Sequence, residues 1–190
     1  MNKTKRKIFE ASLELFAKKG YDATSIEEIT ATVGVAKGTL YYHFSSKEEI
    51  FNFLVEEGMK LLKNSIYIKT SKLDNSIDKI KAIILLQIKI INKYENLISI
   101  VLSQIWGNEP RNVICKKSVF EYIQEVEKIV IEGMEKDEII EGDSNVIASE
   151  IFALTCSSLI YKLRTCKNID IQRLYAETSN SILKGLIKKS

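Results

Sequence analysis

Residues 37–51 read KGTLYYHFSSKEEIF and combine two apolar anchors with a dense set of hydrogen-bonding side chains. On a helix of about 100° per residue, Leu40 and Phe44 lie within about 40° of each other and define a buried face. The hydroxyls of Thr39 and Tyr42 fall on the opposite side. This segment therefore predicts a short helix with an apolar inner face and a polar outer face.

Capping signals on both sides of this segment predict its neighbours. Ser25 and Glu28 have the spacing of a capping box, and so do Ser46 and Glu49. The first box opens a short helix that Gly34 stops, and the second opens a longer one. With an amphipathic helix before them at the N-terminus, these elements form a helix-turn-helix. Such a pair can place its last helix in the major groove of DNA.

The remainder of the chain is predicted to be helical, because one proline and eight glycines in 190 residues leave few helix breakers. Gly58 lies in the middle of the long fourth helix and is expected to weaken it locally. Further helices are predicted at residues 77–94, 96–106, 113–135, 145–165 and 171–188, with a linker around 70–76 and a turn at 137–143. The fold class is therefore all-α: a three-helix head at residues 1–47, joined by a long fourth helix to a larger helical domain at residues 48–190.

The charge distribution favours a polyanionic partner for the N-terminal part. The net charge is +3, and the whole excess of Lys and Arg lies in the first 72 residues. The three cysteines are widely spaced, and Cys156 and Cys166 would lie about 15 Å apart on one helix, too far for a disulfide. This pattern fits a reducing cytoplasm. No run approaches the roughly 20 apolar residues of a membrane span, so no membrane partner is expected.

The run from Gly20 to Ile50 resembles the DNA-binding signature of the TetR family of bacterial transcriptional regulators. The matching residues, each at the family's spacing, are Gly20, Tyr21, Thr24, Ser25, Ile26, Ile29, Val35, Ala36, Gly38, Leu40, Tyr41, His43, Phe44, Ser46, Lys47 and Ile50. The signature covers about a sixth of the chain. The remainder is consistent with the family's helical ligand-binding and dimerisation domain.

The resemblance implies a role in DNA binding for ten residues, namely Ser25, Val35, Ala36, Lys37, Gly38, Thr39, Tyr41, Tyr42, His43 and Lys47. Val35 and Ala36 would touch thymine methyls, and Ser25 and Lys47 would contact phosphates. The basic run Lys3-Lys5-Arg6-Lys7 could add non-specific phosphate contacts. Three of these roles have structural alternatives: Ser25 as a helix cap, His43 as a packing or capping residue, and Tyr41 as a half-buried core residue. Residues 35–44 contain no Arg, Asn or Gln, so the strongest bidentate readers of guanine and adenine are missing.

The resemblance also implies a homodimer and a small-molecule effector. The expected dimer interface comprises Ile151, Leu154, Ser158, Leu159, Tyr161, Leu174, Thr178, Ile182 and Leu186, with the alternative that these stripes face only their own subunit. The expected effector pocket is lined by Trp106, Phe120, Tyr122, Phe152 and Cys156, although aromatic residues in a bundle are also ordinary core. As a dimer the chain would bind a palindromic operator and repress transcription until an effector changes the spacing of its two heads.

Other classes of function are less well supported by the sequence. It contains no phosphate-cradling glycine loop, no metal-ligand cluster and no nucleophile motif, so neither an enzyme nor a metal or cofactor site is expected. A helical adaptor whose head binds protein conflicts with the outward polar face of residues 37–43. A transcriptional activator, or a thiol-based redox sensor that uses Cys115, Cys156 or Cys166, remains an alternative within the same fold.

Overall fold

The computed structural model describes residues 2–187, and within that range the chain forms nine α-helices. Their bounds are α1 Lys3–Lys19, α2 Ile26–Val33, α3 Lys37–His43, α4 Lys47–Thr70, α5 Ser76–Lys93, α6 Glu95–Gln104, α7 Pro110–Glu135, α8 Ser144–Thr165 and α9 Ile171–Leu186. An isolated antiparallel β-bridge joins Ile139 to Ile187. The predicted all-α class is confirmed.

The helix ends follow local chemistry. Gly34 ends α2 in the left-handed conformation with φ 74°, which costs glycine little. α7 begins at Pro110, three residues before its predicted start, because proline suits the first turn of a helix, where no N–H partner is needed. The predicted end of the last helix at residue 188 lies outside the described residues.

The chain packs as two compact units. The first contains the helices up to Met59 in α4 together with Glu95–Ser118. In it α1 packs against α2 and α6, and α2 packs against α3. Its core is formed by fully buried apolar side chains, namely Ile8, Phe16, Ile29, Leu40, Phe44, Ile50, Phe51, Leu54 and Val55. The predicted domain boundary at residues 47 and 48 coincides with the start of α4 and stays a prediction.

The second unit contains Lys60–Tyr94 and the chain from Val119 onward. Here α5 packs against α8 and α9, and α8 packs against α9. α5 supplies a run of buried isoleucines, Ile80, Ile83, Ile84, Ile88 and Ile91, so it is the central helix of this unit, as the sequence predicts.

Gly58 lies at a close contact between two helices. A Cβ atom at this position would lie 2.0 Å from Leu97 Cδ2, well inside van der Waals contact. Leu97 lies on α6 and is buried within the first unit. Glycine therefore allows α4 and α6 to approach closely. The expected local weakening of α4 stays a prediction.

By length and composition alone, α8 is apolar enough to cross a membrane, with a mean hydropathy of 1.5 in its most apolar stretch. Core helices of soluble proteins can be equally long and apolar, but only 33% of this stretch is buried inside the chain. The exposed part includes Val146, Leu154, Ile160 and Tyr161. These residues lie along one side of the helix and leave an apolar face uncovered in the single chain.

Candidate nucleic-acid interface and buried polar cluster

Helix α3, the predicted recognition helix, is anchored by its apolar face. Leu40 is fully buried and Phe44 is 1% exposed. The Phe44 ring packs edge to face against Phe53 of α4, with centroids 5.4 Å apart. The Phe44 N–H donates to the Leu40 carbonyl at 2.9 Å and ends the helix. Both residues predicted to hold α3 in place are therefore core residues.

The opposite face of α3 is open. Tyr42 is 85% exposed and Tyr41 45% exposed. Lys37 and Gly38 are exposed, and Thr39 is half-buried. A Cβ at Gly38 would meet nothing within 4 Å, so the backbone there is accessible to another surface.

The predicted contact residues at the two ends of α3 differ in their exposure to solvent. Ala36 is exposed and precedes the helix, whereas Val35 is half-buried. His43 is half-buried, and its ring lies 5.0 Å from that of Tyr42. Both the contact and the packing interpretations of His43 are compatible with this position.

Lys37 forms an ion pair that the sequence did not predict. Its ammonium lies 2.6 Å from a carboxylate oxygen of Glu27 on α2, and both side chains are exposed. The hydrogen bond lowers the pKa of Glu27 and raises the pKa of Lys37. The Lys37 ammonium therefore already has one carboxylate acceptor, and its spacing of ten residues from Glu27 gives no helical signal from which to predict the pair.

Ser25 acts as a helix cap in the structure. Its hydroxyl accepts from the Glu28 N–H, and the Glu28 carboxylate accepts from the Ser25 N–H, each at 3.1 Å. This confirms the first capping box. The second one is shifted: Ser46 Oγ accepts from the Glu49 N–H at 3.0 Å, but the Glu49 carboxylate accepts from Ser45 instead.

Lys47, a predicted phosphate contact, is held by the loop between α1 and α2. Its ammonium donates to the carbonyls of Tyr21 and Thr24, each at 2.9 Å, and lies 3.4 Å from the Asp22 carbonyl. It also lies 4.4 Å from the centroid of the Tyr21 ring. The free protein therefore already supplies acceptors for this ammonium.

In the N-terminal basic run, Lys5 packs against aromatic rings and the other three residues lie at the surface. The Lys5 ammonium lies over the rings of Phe44 and Phe53, at 4.8 and 4.3 Å from their centroids. Arg6 pairs with Glu10 one turn along α1 at 2.9 Å. Lys3 and Lys7 are exposed.

The second unit contains a buried polar cluster, which we define as Gln87, Tyr122, Phe152 and Cys156. The Tyr122 hydroxyl donates to Gln87 Oε1 at 3.0 Å. Gln87 Nε2 donates to the Phe152 carbonyl at 3.0 Å and to Cys156 Sγ at 3.2 Å. The structure thus brings three of the five predicted pocket residues together around Gln87. The sequence did not lead us to predict a role for Gln87 itself. The available signal was a neutral polar residue in the middle of an otherwise apolar stretch of α5.

The other two predicted pocket residues lie at the surface. Trp106 is 87% exposed and Phe120 is 62% exposed. Neither is an interior residue of its own unit. Trp106 lies in the turn after α6, and Phe120 lies on α7 next to the buried Val119.

Most of the predicted dimer residues belong to the core of the chain itself. Ile151, Leu159, Leu174, Thr178, Ile182 and Leu186 are all buried within the single chain. The packing of α5, α8 and α9 within the chain accounts for their burial, so the interface role of these six stays a prediction. Leu154 is 48% exposed, Tyr161 is 64% exposed and Ser158 is half-buried, so these three remain available.

The three thiols differ in accessibility. Cys115 and Cys156 are buried, and burial raises the pKa of each to about 12. A thiol with such a pKa is protonated near neutral pH and reacts slowly. Cys166 is exposed, so it is the one thiol positioned for reaction with an oxidant.

Comparison with known proteins places the chain among bacterial regulators. Residues 8–54 match the N-terminal family model described as bacterial regulatory proteins, tetR family. A stretch of 74 residues is 39% identical to IcaR of Staphylococcus aureus, the negative transcriptional regulator of the biofilm operon icaADBC. This match covers 39% of the chain and spans about two fifths, 40%, of the length of that relative.

Solved structures match over nearly the whole chain. A candidate regulator of fatty acid metabolism from Clostridium perfringens is 33% identical over 96% of this chain and 100% of its own, with a TM-score of 0.89. FadR of Bacillus subtilis, solved in complex with stearoyl-CoA, covers 95% of this chain and 98% of its own with a TM-score of 0.84. At 22% identity, this second likeness shows the fold alone.

Proposed function

The chain belongs to the TetR family of bacterial transcriptional regulators, and from this we infer that it is a cytoplasmic repressor. As a homodimer it binds a palindromic operator, and a small-molecule effector releases it. The observation that carries this proposal is the outward face of α3. A helix held by Leu40 and Phe44 presents Tyr42, Lys37 and Gly38 to solvent within a helix-turn-helix.

The DNA surface is proposed to comprise Lys37, Gly38, Thr39, Tyr41 and Tyr42 of α3. Ala36 and Val35 at the start of α3, together with His43, would lie at its edges. Two contacts proposed from the family are qualified by the structure: Ser25 is a cap and Lys47 is bound to loop carbonyls. For these two, a phosphate contact has to coexist with the structural role. Because α3 offers no Arg, Asn or Gln, sequence choice would depend on Lys37, the hydroxyls and DNA shape.

The proposed dimer face lies on α8 and centres on Leu154 and Tyr161, with Ser158 beside them. Its support is the apolar side of α8 that the single chain leaves uncovered. An exposed apolar stripe of this kind is typical of a protein interface. Two copies joined here would present two recognition helices to DNA, and the operator's half-sites would be about 34–36 Å apart.

The proposed effector is a fatty acyl compound. The Clostridium perfringens relative is a candidate regulator of fatty acid metabolism, and the structurally similar FadR binds stearoyl-CoA. The buried polar cluster contains no charged group. Such an interior suits an uncharged chain and would not neutralise a charged head group. The thiol-sensor alternative loses support, because two of the three thiols are buried and protonated.

The test is the affinity of the chain for a duplex that the wild type enriches from a random pool. Tyr42→Ala should weaken binding about 10- to 100-fold, since a base or phosphate contact is worth roughly 1–3 kcal/mol. Tyr67→Ala is the matched control, because Tyr67 is 73% exposed on α4 and belongs to the second unit. Addition of stearoyl-CoA should then release the wild-type complex. Equal affinity of both variants would place the DNA surface elsewhere.

A further inference from the structure

The loop between α1 and α2 is held by cations from two other helices. Lys47, in the first turn of α4, donates to the loop carbonyls and lies over the Tyr21 ring. Arg111, in the first turn of α7, lies over the same ring, with its Cζ 4.9 Å from the centroid. Tyr21, Asp22, Lys47 and Arg111 are called the Tyr21 clamp below.

Arg111 connects this loop to the end of α6. Its Nε donates to Gln104 Oε1 at 3.0 Å, and its terminal NH2 donates to Asp22 Oδ2 at 3.1 Å. The Arg111 side chain is only 22% exposed. One guanidinium therefore joins three parts of the first unit: the loop before α2, the end of α6 and the start of α7.

The corner between α6 and α7 fixes the base of Arg111. The Asn112 amide donates to the Gln104 carbonyl at 2.7 Å, and its oxygen accepts from the Glu109 N–H at 2.7 Å. A Cβ at Gly107 would lie 2.3 Å from the Asn112 side chain, so only glycine fits there without displacement. Since the corner is held by its own hydrogen bonds, a movement of α7 would be transmitted to Arg111.

The clamp reaches the DNA-binding head through the Tyr21 ring. This ring packs against Phe16 and Phe51 in the head core, at 5.3 and 5.2 Å between centroids. Tyr21 also lies four residues before the Ser25 cap of α2, and Lys47 lies three residues after Phe44, which closes α3. The residues that the clamp fixes therefore flank both helices of the helix-turn-helix.

We propose that Arg111 is a positioning residue for operator binding, which holds the loop before α2 and couples the head to movements of α7. This inference rests on the proposed function. Single exposed ion pairs and cation–π contacts are weak, so the clamp biases the head and can be released.

The experiment compares Arg111→Ala with Lys128→Ala, using the duplex enriched by the wild type. Lys128 is an exposed cation on α7 that pairs with Glu125 of the same helix. Arg111→Ala should raise the operator Kd about 5- to 20-fold, a typical size for coupling between sites. The slope of log affinity against log salt should not change, because Arg111 neutralises no phosphate. Lys128→Ala should bind like the wild type.

Asp22→Asn and the Asp22→Asn/Arg111→Ala double variant extend the test. Their effects on affinity should be less than additive, because both changes break the same contact. If Arg111→Ala does not fold by circular dichroism, Asp22→Asn carries the test with the same expected direction. Unchanged or tighter binding by the folded variants overturns the clamp, and a fall in the salt slope by about one shows a direct phosphate contact instead. A wild type that enriches no duplex overturns the proposed function together with the clamp.

Discussion

α3 and α9 are both amphipathic helices, but their apolar stripes were expected to pack against different partners. Leu40 of α3 and Phe44 at its end are buried, and the opposite, polar face of α3 is exposed to solvent. In α9, the apolar stripe was expected to meet a second subunit, and the structure buries it against α5 and α8 of the same chain. A stripe therefore predicts that a face is buried, and does not predict which surface buries it.

The same distinction separates two leucines on α8. Leu159 is fully buried in the chain, whereas Leu154 is 48% exposed on the uncovered side. Leu159→Ala should lower the free energy of unfolding by about 2–5 kcal/mol at any protein concentration, because it leaves a cavity. Leu154→Ala should cost little in the isolated chain but raise the dimer dissociation constant.

Urea unfolding at two protein concentrations and sedimentation measurements check this pair. If Leu154→Ala leaves the oligomeric state unchanged while Leu159→Ala dissociates a well-folded dimer, the core and interface assignments are reversed.

Gly58 is a second position at which the sequence alone does not show what a residue packs against. Gly58→Ala should destabilise the protein by about 1–3 kcal/mol, because the new methyl overlaps Leu97 and overpacking exceeds the gain in helix propensity. Thermal melting measures the loss. The double variant Gly58→Ala/Leu97→Ala should lose less stability than the sum of its single changes, since removing the Leu97 side chain makes room.

If Gly58 instead serves to soften α4, as the sequence alone suggested, Gly58→Ala would stabilise the protein and change only effector-induced release. The melting temperature separates these two explanations directly.

The sequence predicted the helices and the outward face of α3. Capping boxes, Gly34 and apolar periodicity located every helix of the described region, because those signals act within a few residues. Contacts between distant residues gave no such signal. The Glu27–Lys37 pair, the Gly58–Leu97 contact and the Tyr21 clamp all depend on which helices become neighbours. The exposed positions of Trp106 and Phe120 could not be read from residue type, since aromatic side chains occur both in cores and at surfaces.

The Glu27–Lys37 pair predicts a pH-dependent restraint on the DNA surface. Glu27→Gln should tighten operator binding about two- to threefold near pH 7, because it frees Lys37 and removes a negative charge beside the DNA. The ion pair lowers the pKa of Glu27, so the carboxylate remains charged until the pH falls below its usual range. The difference between variant and wild type should therefore persist above that range and vanish as the pH falls through the lowered pKa.

Fluorescence anisotropy with the same duplex measures both proteins across the acid range. A difference that grows on acidification would mean that another group controls Lys37.

Thiol reactivity gives the smallest expected effect. In the native protein Cys166 should react rapidly with an aromatic disulfide reagent near pH 8, whereas Cys115 and Cys156 should react only on unfolding, because burial raises their pKa to about 12. Cys166→Ser should leave operator affinity unchanged with and without oxidant. Loss of binding on oxidation of the wild type, abolished in this variant, would support a redox sensor instead.

Photo-crosslinking tests the assignment of α3 to DNA most directly. Benzoylphenylalanine would replace Tyr42 in one variant and Tyr67 in another, since both side chains are largely exposed on helices. With the duplex enriched by the wild type, the position 42 variant should form a covalent DNA adduct and the position 67 variant should not. Adducts from position 67 alone would contradict the assignment of the outward face of α3 as the DNA-binding surface.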